Sequence, residues 1–198
     1  MALTRQDVIT GALELADAEG LDALTLRSLA GRLGVQAPTL YWHVRNKAEL
    51  LDALADRIMD DVLAGLAPPD ADWRDWLLRV AIGMRGILLR HPDGARIIGG
   101  GRASLRRADF SERAITALID AGVSLREARL TVLAVERFTV GYVLEEQAPP
   151  PDDSVRPPAP EELARRLPNV TRAIIDYFQD GRTADDLFQD EIRLILRM

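Results

Sequence analysis

The sequence predicts an all-α protein in which an N-terminal helix-turn-helix region precedes a longer helical region. First, helix-capping residues stand directly before apolar residues at helical spacing, as at Thr25 and Ser124. Second, residues 25–47 contain two short helical patterns joined by a tight turn. Third, glycine and proline divide the remaining helical patterns, as at residues 65–72. These features indicate two helical regions that meet near that segment.

The first helix is predicted over residues 4–18 and ends before Gly20. Residues 1–23 hold one arginine against five acidic residues, a charge balance of −4. This acidic helix is therefore expected to brace the following helices rather than to form a binding surface. Its expected buried face consists of Ile9, Ala12, Leu13 and Ala16.

Residues 25–47 form the predicted helix-turn-helix. Its first helix begins after Thr25, carries apolar residues at positions 26, 29, 30 and 33, and ends at Gly34, where a C-cap needs a positive φ. A seven-residue second helix begins near Pro38, with Leu40 and Val44 on its buried side. In such an arrangement the second helix fits the major groove of DNA.

The charge and the side chains of residues 25–47 favour DNA binding. Four cations and no acid occur there, although the whole chain has a net charge of −6. The outward positions of the second helix carry groups that bond base edges, contact thymine methyl groups or reach phosphates. Alternatively, Tyr41 and Trp42 are core aromatics, but a helix this short cannot bury both faces. The predicted DNA-binding residues are Arg27, Gln36, Pro38, Thr39, Tyr41, Trp42, His43 and Lys47.

Residues 24–55, LTLRSLAGRLGVQAPTLYWHVRNKAELLDALA, resemble the DNA-binding domain of the tetracycline repressor (TetR) family, and in particular its tetracycline-repressor branch. That branch shares PTLYWHV, a following basic-Asn-Lys and an LLDALA run. The similarity continues more weakly through Trp73, the HPDGAR segment at 91–96 and residues 138–147. It implies an all-α, dimeric, bacterial regulator. It also implies that Lys47, the only lysine in the chain, holds a DNA phosphate at a helix N-terminus.

Asn46 begins the predicted fourth helix, with Glu49 three residues on as in a capping box. About 18 residues at 1.5 Å each give a length of about 27 Å, enough to join a DNA-binding head to the rest of the chain. The sequence therefore predicts a DNA-binding domain over residues 1–47, a connecting helix over 48–66, and an effector-binding and dimerisation domain over 67–198.

Further helices are predicted over residues 73–90, 93–98, 105–121 and 125–146. The glycines at 99–101 are interpreted as a flexible stop, because neither a preceding strand nor a Gly-Lys-Ser/Thr sequence marks a phosphate-binding loop. The helix over 125–146 opens with a capping box at Ser124 and is apolar on nearly every side. It is therefore expected to be buried on both faces, partly against a second subunit.

The C-terminal residues begin with a proline-rich segment. Residues 148–160 include six prolines and predict a mobile loop. One or two helical pieces divided near Pro168 should follow over 161–180, and Thr183 caps a last helix. The resemblance implies that this last helix and the one over 125–146 pair with their twins in a four-helix dimer interface. The stripe of the last helix is Leu187, Phe188, Ile192 and Ile195.

Composition disfavours several classes of protein. The chain has no cysteine, two histidines and no Gly-x-Ser-x-Gly motif, and it offers no nucleophile with an oriented base. We therefore expect neither an enzyme nor a resident cofactor. The sequence has no apolar stretch of about 18 residues and no basic leader before an apolar run. No membrane segment is expected, and the predicted location is cytoplasmic.

The resemblance also implies an effector pocket in the C-terminal region. In the tetracycline repressor this pocket holds a drug–magnesium chelate, but here the matching positions are mostly apolar or small. Those positions are Leu63, Val80, Met84, Ile98, Gly101 and Ala114. Only Glu145 is retained, and one glutamate is too few to hold a divalent ion. We therefore predict no metal site and a relatively apolar effector other than tetracycline–magnesium. Arg137, Glu145 and Glu136 would orient it, although Arg137 and Glu136 could instead form ion pairs within or between subunits.

The predicted function is that of a homodimeric transcriptional repressor. It would bind a palindromic double-stranded operator and leave it when a small-molecule effector binds. An activator with the same architecture is one alternative, because the position of the operator decides whether bound protein activates or represses transcription. The other alternative is a ligand-binding or protein-interaction module with little specific DNA binding.

Overall fold

The computed structural model describes residues 3–69, 72–149 and 158–198, and these form eleven α-helices. No strand occurs in these ranges, so the all-α prediction is confirmed. The helices are α1 (Arg5–Glu19), α2 (Leu26–Leu33), α3 (Ala37–Leu40), α4 (Lys47–Ala64), α5 (Trp73–Leu88), α6 (Gly94–Gly100), α7 (Leu105–Asp120), α8 (Leu125–Glu146), α9 (Pro160–Arg166), α10 (Pro168–Phe178) and α11 (Ala184–Leu196). Within the described part of the chain, no helix is both long and apolar enough to cross a membrane.

The chain separates into two compact units between Gln147 and Ala148. The first unit contains α1–α8, and α4 lies at its centre, in contact with α1, α5, α6 and α7. We call the three N-terminal helices α1–α3 the head and the remaining helices of this unit, α4–α8, the core. Helix α4 contacts α1 and therefore connects the head to the core.

Local hydrogen bonds fix both ends of the head helices. Thr4 and Asp7 form a capping box at the start of α1, and Thr25 forms one with Ser28 at the start of α2. Gly34 ends α2 with a φ of 66°, as predicted, and the N–H of Val35 then donates to the carbonyl of Ala30 at 3.0 Å. A side chain at Gly34 would strain this left-handed turn.

The buried face of α1 is rotated relative to its prediction. Val8 and Leu15 are buried, together with the predicted Ile9, Ala12 and Ala16, whereas Leu13 is half-buried. Positions 8, 12 and 15 define the centre of the face that packs on the other helices, and Leu13 lies at the edge of that arc. The prediction for Leu13 was therefore wrong.

The second helix of the helix-turn-helix is shorter than the seven residues predicted. α3 has α-helical geometry only over Ala37–Leu40. The chain then continues in tighter turns, in which the N–H of Tyr41 donates to Pro38 at 3.3 Å and that of His43 donates to Leu40 at 2.9 Å. Such i→i−3 bonds are common where a short helix must end quickly. The predicted buried side is nevertheless correct, since Leu40 and Val44 are 0% exposed.

α4 has the predicted length of 18 residues. Asn46 caps it, accepting a hydrogen bond from the N–H of Glu49 at 2.9 Å. The Glu49 carboxylate accepts from the N–H of Arg45 at 2.9 Å rather than from that of the N-cap, so the predicted capping box is displaced by one residue.

The glycines at 99–101 are not a flexible stop. Gly99 and Gly100 belong to α6, and Gly101 is buried against α4. A Cβ at Gly101 would lie less than 3.0 Å from the Cβ of Ala55, closer than real Cβ atoms approach. The third glycine is therefore required by the close contact between α6 and α4, which the sequence pattern does not reveal.

α8 is buried along one side only within the chain. Val132, Val135 and Val143 are at most 2% exposed, and α8 contacts α5, α6 and α7. On its other side Leu130 is 60% and Leu144 is 47% exposed. The predicted burial of one face against the chain's own helices is therefore correct, and burial of the other face against a second subunit stays a prediction.

The second unit contains α9–α11. α9 and α10 divide at Pro168, as predicted, and Thr183 caps α11 in a box with Asp186. The hydroxyl of Tyr177 in α10 donates to Asp190 in α11 at 2.9 Å. Within the stripe predicted for α11, Phe188 and Ile192 are fully buried. Most of the loop predicted over 148–160 lies outside the described residues, and its last residue already begins α9.

Candidate nucleic-acid interface and effector cavity

The outward surface of α3 and its following turn is aromatic and polar. Trp42 is 88% and Tyr41 is 56% exposed, whereas Leu40 and Val44 of the same segment are buried inside the head. The alternative in which the two aromatics are core residues is therefore wrong. Gln36 and Pro38 are also exposed, while Thr39 and His43 are half-buried on this surface.

The cations of the predicted interface are accessible to solvent. Arg27 lies in the first turn of α2, and Lys47 is the first residue of α4. A helix N-terminus presents N–H groups and a partial positive charge, and an ammonium group there adds to its attraction for a phosphate. Arg32 is also exposed, and its guanidinium lies 3.4 Å from the carboxylate of Glu14 in α1.

A polar cluster joins the head to the core at the turn between α5 and α6. Nδ1 of His91 lies 2.9 Å from a carboxylate oxygen of Asp17. The carboxylate of Asp93 accepts from the N–H of Leu21 at 2.6 Å. Sequence reasoning assigned no role to these residues, although HPDGAR was noted as a shared segment. The available signal was a run of polar residues in a turn between two apolar helices.

Gln147 holds the same turn from the other side. Its amide nitrogen donates to the carbonyls of Leu88 at 3.1 Å and of His91 at 2.7 Å, and its amide oxygen accepts from the N–H of Ala95 at 3.2 Å. One side chain at the end of α8 thus satisfies backbone groups at the end of α5 and the start of α6. Both carbonyls also accept a turn hydrogen bond, from the N–H of His91 at 3.2 Å and from that of Gly94 at 2.8 Å, so Gln147 adds a second donor to each.

The core contains a cavity of about 240 Å³ between α4, α5 and the segment that joins them. Val80 and Met84, two of the predicted effector residues, line it, and Leu63 is adjacent to the lining residue Val62. The indole N–H of Trp76 donates to the carbonyl of Ala67 at 3.0 Å and so fixes one wall. The cavity is lined by Val62, Gly65, Leu66, Ala67, Trp76, Arg79, Val80, Gly83, Met84 and Ile87.

The structure does not bring the other predicted effector residues to this cavity. Ile98 and Ala114 are 0% exposed in the packed core, and Gly101 contacts α4. Arg137 and Glu145 are exposed on α8. Of the eight predicted residues, two therefore line the cavity, Leu63 lies next to a lining residue, three are packed in the core and two are exposed charges.

Glu136 forms an ion pair inside the chain. Its carboxylate is 2% exposed and accepts a hydrogen bond from Nε of Arg107 in α7. Nη1 of Arg107 also donates to the carbonyl of Ile98 in α6 at 3.3 Å. The ion-pair alternative is therefore correct for Glu136, and its partner is Arg107.

In the described ranges, no three histidine, aspartate or glutamate side chains are grouped so that they could hold a metal ion.

Comparison with known proteins gives two matching family models. The model described as "Bacterial regulatory proteins, tetR family" matches residues 8–54, which include the helix-turn-helix. The model described as "Tetracyclin repressor-like, C-terminal domain" matches residues 65–197.

Similar proteins include sequence relatives and solved structures. The tetracycline repressor protein class A from transposon 1721 of Escherichia coli is 40% identical over 190 residues, which cover 96% of this chain and 87% of that protein. The structure of a TetR variant from Acinetobacter baumannii AYE in complex with minocycline superposes with a TM-score of 0.77 at 34% identity, covering 99% of this chain and 92% of that one. The structure of BioQ with its natural double-stranded DNA operator gives a TM-score of 0.67 at 29% identity, covering 88% and 97%.

Proposed function

The chain belongs to the TetR family of bacterial regulatory proteins, and from this we propose that it is a homodimeric repressor released from a palindromic operator by a small apolar effector. The observation that carries the proposal is the segment from Gln36 to Lys47, in which Leu40 and Val44 are fully buried while Trp42 is 88% exposed. The two buried residues fix the segment to the head, and its exposed surface, which carries aromatic and cationic side chains, can fit a DNA groove. The proposed domains are 1–47, 48–66 and 67–198.

Operator recognition would use two copies of this segment. In a dimer with twofold symmetry, the two recognition segments would enter successive major grooves about 34 Å apart, which requires a palindromic site. The exposed leucines of α8, Leu130 and Leu144, supply an apolar face for this dimer, and α11 would complete a four-helix interface. We propose no catalytic activity, and a cytoplasmic location follows from the DNA partner.

Specific retention of the chain's own upstream DNA tests the proposal. A palindromic fragment from that region should bind in the presence of excess unrelated duplex, and the complex should contain two copies of the chain. Equal binding to both DNAs, or no binding to either, would instead favour a ligand-binding or protein-interaction module. Placing the operator upstream or downstream of a reporter promoter separates activation from repression.

Replacing Lys47 with alanine should weaken binding to every duplex sequence by a similar factor. Loss of one phosphate contact lowers the slope of log affinity against log salt by about one. Fluorescence anisotropy at several salt concentrations measures this slope, and Arg126→Ala in α8, outside the head, provides a control for the loss of an exposed cation. An unchanged slope would contradict the assignment of Lys47.

Replacing Gln36 or Thr39 with alanine should alter base preference rather than salt dependence. A lost contact to a base edge costs about 1–3 kcal/mol at the base pair it reads. Binding to a set of singly substituted operators measures this effect. A uniform loss across all operators, as expected for Lys47→Ala, would argue against base readout by these two residues.

The effector is proposed to be more apolar than a tetracycline–magnesium chelate. Val80 and Met84 line the core cavity, and the further proposed effector residues are Leu63, Ile98, Gly101, Ala114, Arg137 and Glu145. Arg137 and Glu145 are exposed on α8, where an effector or a second subunit can reach them. Effector binding to the DNA-incompetent state would weaken operator binding by a coupling free energy of about 1–3 kcal/mol.

Titration calorimetry with tetracycline and magnesium should give no magnesium-dependent binding. The apolar positions offer too few oxygen or imidazole ligands for a divalent ion. The class A tetracycline repressor serves as the positive control in the same buffer. Saturable binding that disappears when EDTA is added would contradict this part of the proposal.

A further inference from the structure

A second cavity, of about 390 Å³, lies between α7 and the segment that joins α4 to α5. It shares Leu66, Ala67 and Trp76 with the core cavity, but its other lining residues are residues 68–69 and residues of α7. None of the predicted effector residues is among its described lining residues. Its volume lies within the range of about 300–1,000 Å³ that is usual for small-molecule sites. We call it the α7 cavity.

The apolar walls of the α7 cavity are held in place by the fold. The indole N–H of Trp76 donates to the carbonyl of Ala67 at 3.0 Å, which fixes the joining segment to α5. Pro68 and Pro69 follow directly, and their rings restrict φ. On the opposite wall Ala117 of α7 is 6% exposed. A ligand that enters such a preformed site loses little affinity to ordering of the protein.

The polar side chains of the α7 cavity all come from α7. Glu112, Thr116 and Asp120 follow one another at intervals of four residues and therefore lie along one face of the helix. Arg113 is the only cation among the described lining residues, so two carboxylates stand against one guanidinium. Among the described residues, neither carboxylate has a hydrogen-bonding or ion-pair partner. The cavity therefore combines apolar walls with an excess of one negative charge.

We propose that the α7 cavity binds a small organic cation, an amine whose apolar ring packs against Trp76 and residues 66–69 while its ammonium group lies towards Glu112 and Asp120. Carboxylates attract an ammonium group, and among aromatic side chains indole gives the strongest attraction for a cation. Both features favour a cation over an anion or a neutral compound of the same shape. The site is separate from the proposed effector cavity, and the inference holds whether or not the chain binds DNA.

Isothermal titration calorimetry of the full-length chain with three naphthalene compounds tests the proposal. Naphthylethylamine is a cation at neutral pH, naphthylethanol is neutral and naphthylacetate is an anion, so the apolar ring is constant while the charge changes. The amine should bind more tightly than the alcohol, and the acetate more weakly. The advantage of the amine should shrink as salt is added, because the carboxylates are exposed and their charges are screened.

Three charge variants assign the preference to the α7 cavity. Glu112→Gln and Asp120→Asn should each lower the affinity for the amine about twofold to fivefold, as expected for the loss of one exposed charge pair, and should leave the affinity for the alcohol unchanged. Arg113→Gln should raise the affinity for the amine by a similar factor. Glu127→Gln in α8, which removes an exposed acid that does not line the cavity, should match the wild type.

A blocking variant tests the position of the ring. Thr116 is exposed, so Thr116→Phe can fill the cavity without enlarging a core side chain, and it should abolish binding of both the amine and the alcohol. Thermal unfolding shows whether each variant is folded, and the charge variants keep the test valid if Thr116→Phe is not. The proposal is overturned if the wild type binds the amine no more tightly than the alcohol, or binds the acetate best. It is also overturned if the double variant Glu112→Gln/Asp120→Asn keeps the full preference for the amine, because the amine would then bind elsewhere.

Discussion

Replacing Arg107 with methionine should lower the free energy of unfolding by about 3–5 kcal/mol, because it leaves a buried carboxylate without its cation. Glu136 is 2% exposed, and Arg107 supplies both its charge partner and a hydrogen bond to the carbonyl of Ile98 at 3.3 Å. The substitution therefore removes two contacts of α7, the ion pair with α8 and the hydrogen bond to α6. Urea unfolding followed by circular dichroism measures the loss.

The matched control is the double variant Arg107→Met/Glu136→Leu. Replacing a whole buried ion pair with apolar side chains of similar volume is often neutral or stabilising. The double variant should therefore recover most of the stability that Arg107→Met loses. If both variants were equally destabilised, packing of the Arg107 side chain rather than its charge would be the cause.

Replacing Gly101 with alanine should lower the free energy of unfolding by about 1–3 kcal/mol through overpacking. The new Cβ would lie less than 3.0 Å from the Cβ of Ala55, and 3.6 Å from the carbonyl oxygen of Leu51. Both belong to α4, so the helix that carries the head must shift away from α6. Because α4 sets the position of the head, operator affinity should fall together with stability in a parallel anisotropy measurement.

Two variants separate this contact from a general effect of glycine. Gly99 has nothing within 4 Å of its hypothetical Cβ. Because Gly99 lies in a helix, its replacement by alanine should raise the free energy of unfolding by about 0.5–1 kcal/mol. Adding Ala55→Gly to Gly101→Ala removes the opposing methyl group and should restore operator binding. Failure of that second substitution to help would show that the strain lies elsewhere.

The positions of most helices were predictable because their signals are local. Thr25 with Ser28 and Thr183 with Asp186 form bonds across three residues, so the cap is visible in a short window of sequence. The exposed face of the recognition segment was predictable for the same reason, since Leu40 and Val44 are one helical turn apart. The length of α3 was not predictable, because the tighter turns after Leu40 depend on packing rather than on propensity.

The effector residues illustrate a limit of transferring positions from a family. Val80 and Met84 line a cavity, but Ile98 and Ala114 are 0% exposed, although all four were predicted from the same alignment of positions. Where a cavity opens depends on how fully the neighbouring side chains fill the space between helices. Membership of the remaining positions in an effector site stays a prediction that ligand binding must test.

The sequence by itself determined the all-α class, the helix caps and the identity of the residues that face outward from the recognition segment. The tertiary structure alone decided the contacts that hold distant parts of the chain together. These join Arg107 to Glu136 across 29 residues, Arg96 to Asp22 across 74 residues, and Gly101 to Ala55. The reason is physical: a cap satisfies hydrogen bonds within one helical turn, whereas a buried ion pair or a glycine contact exists only after distant helices have packed together.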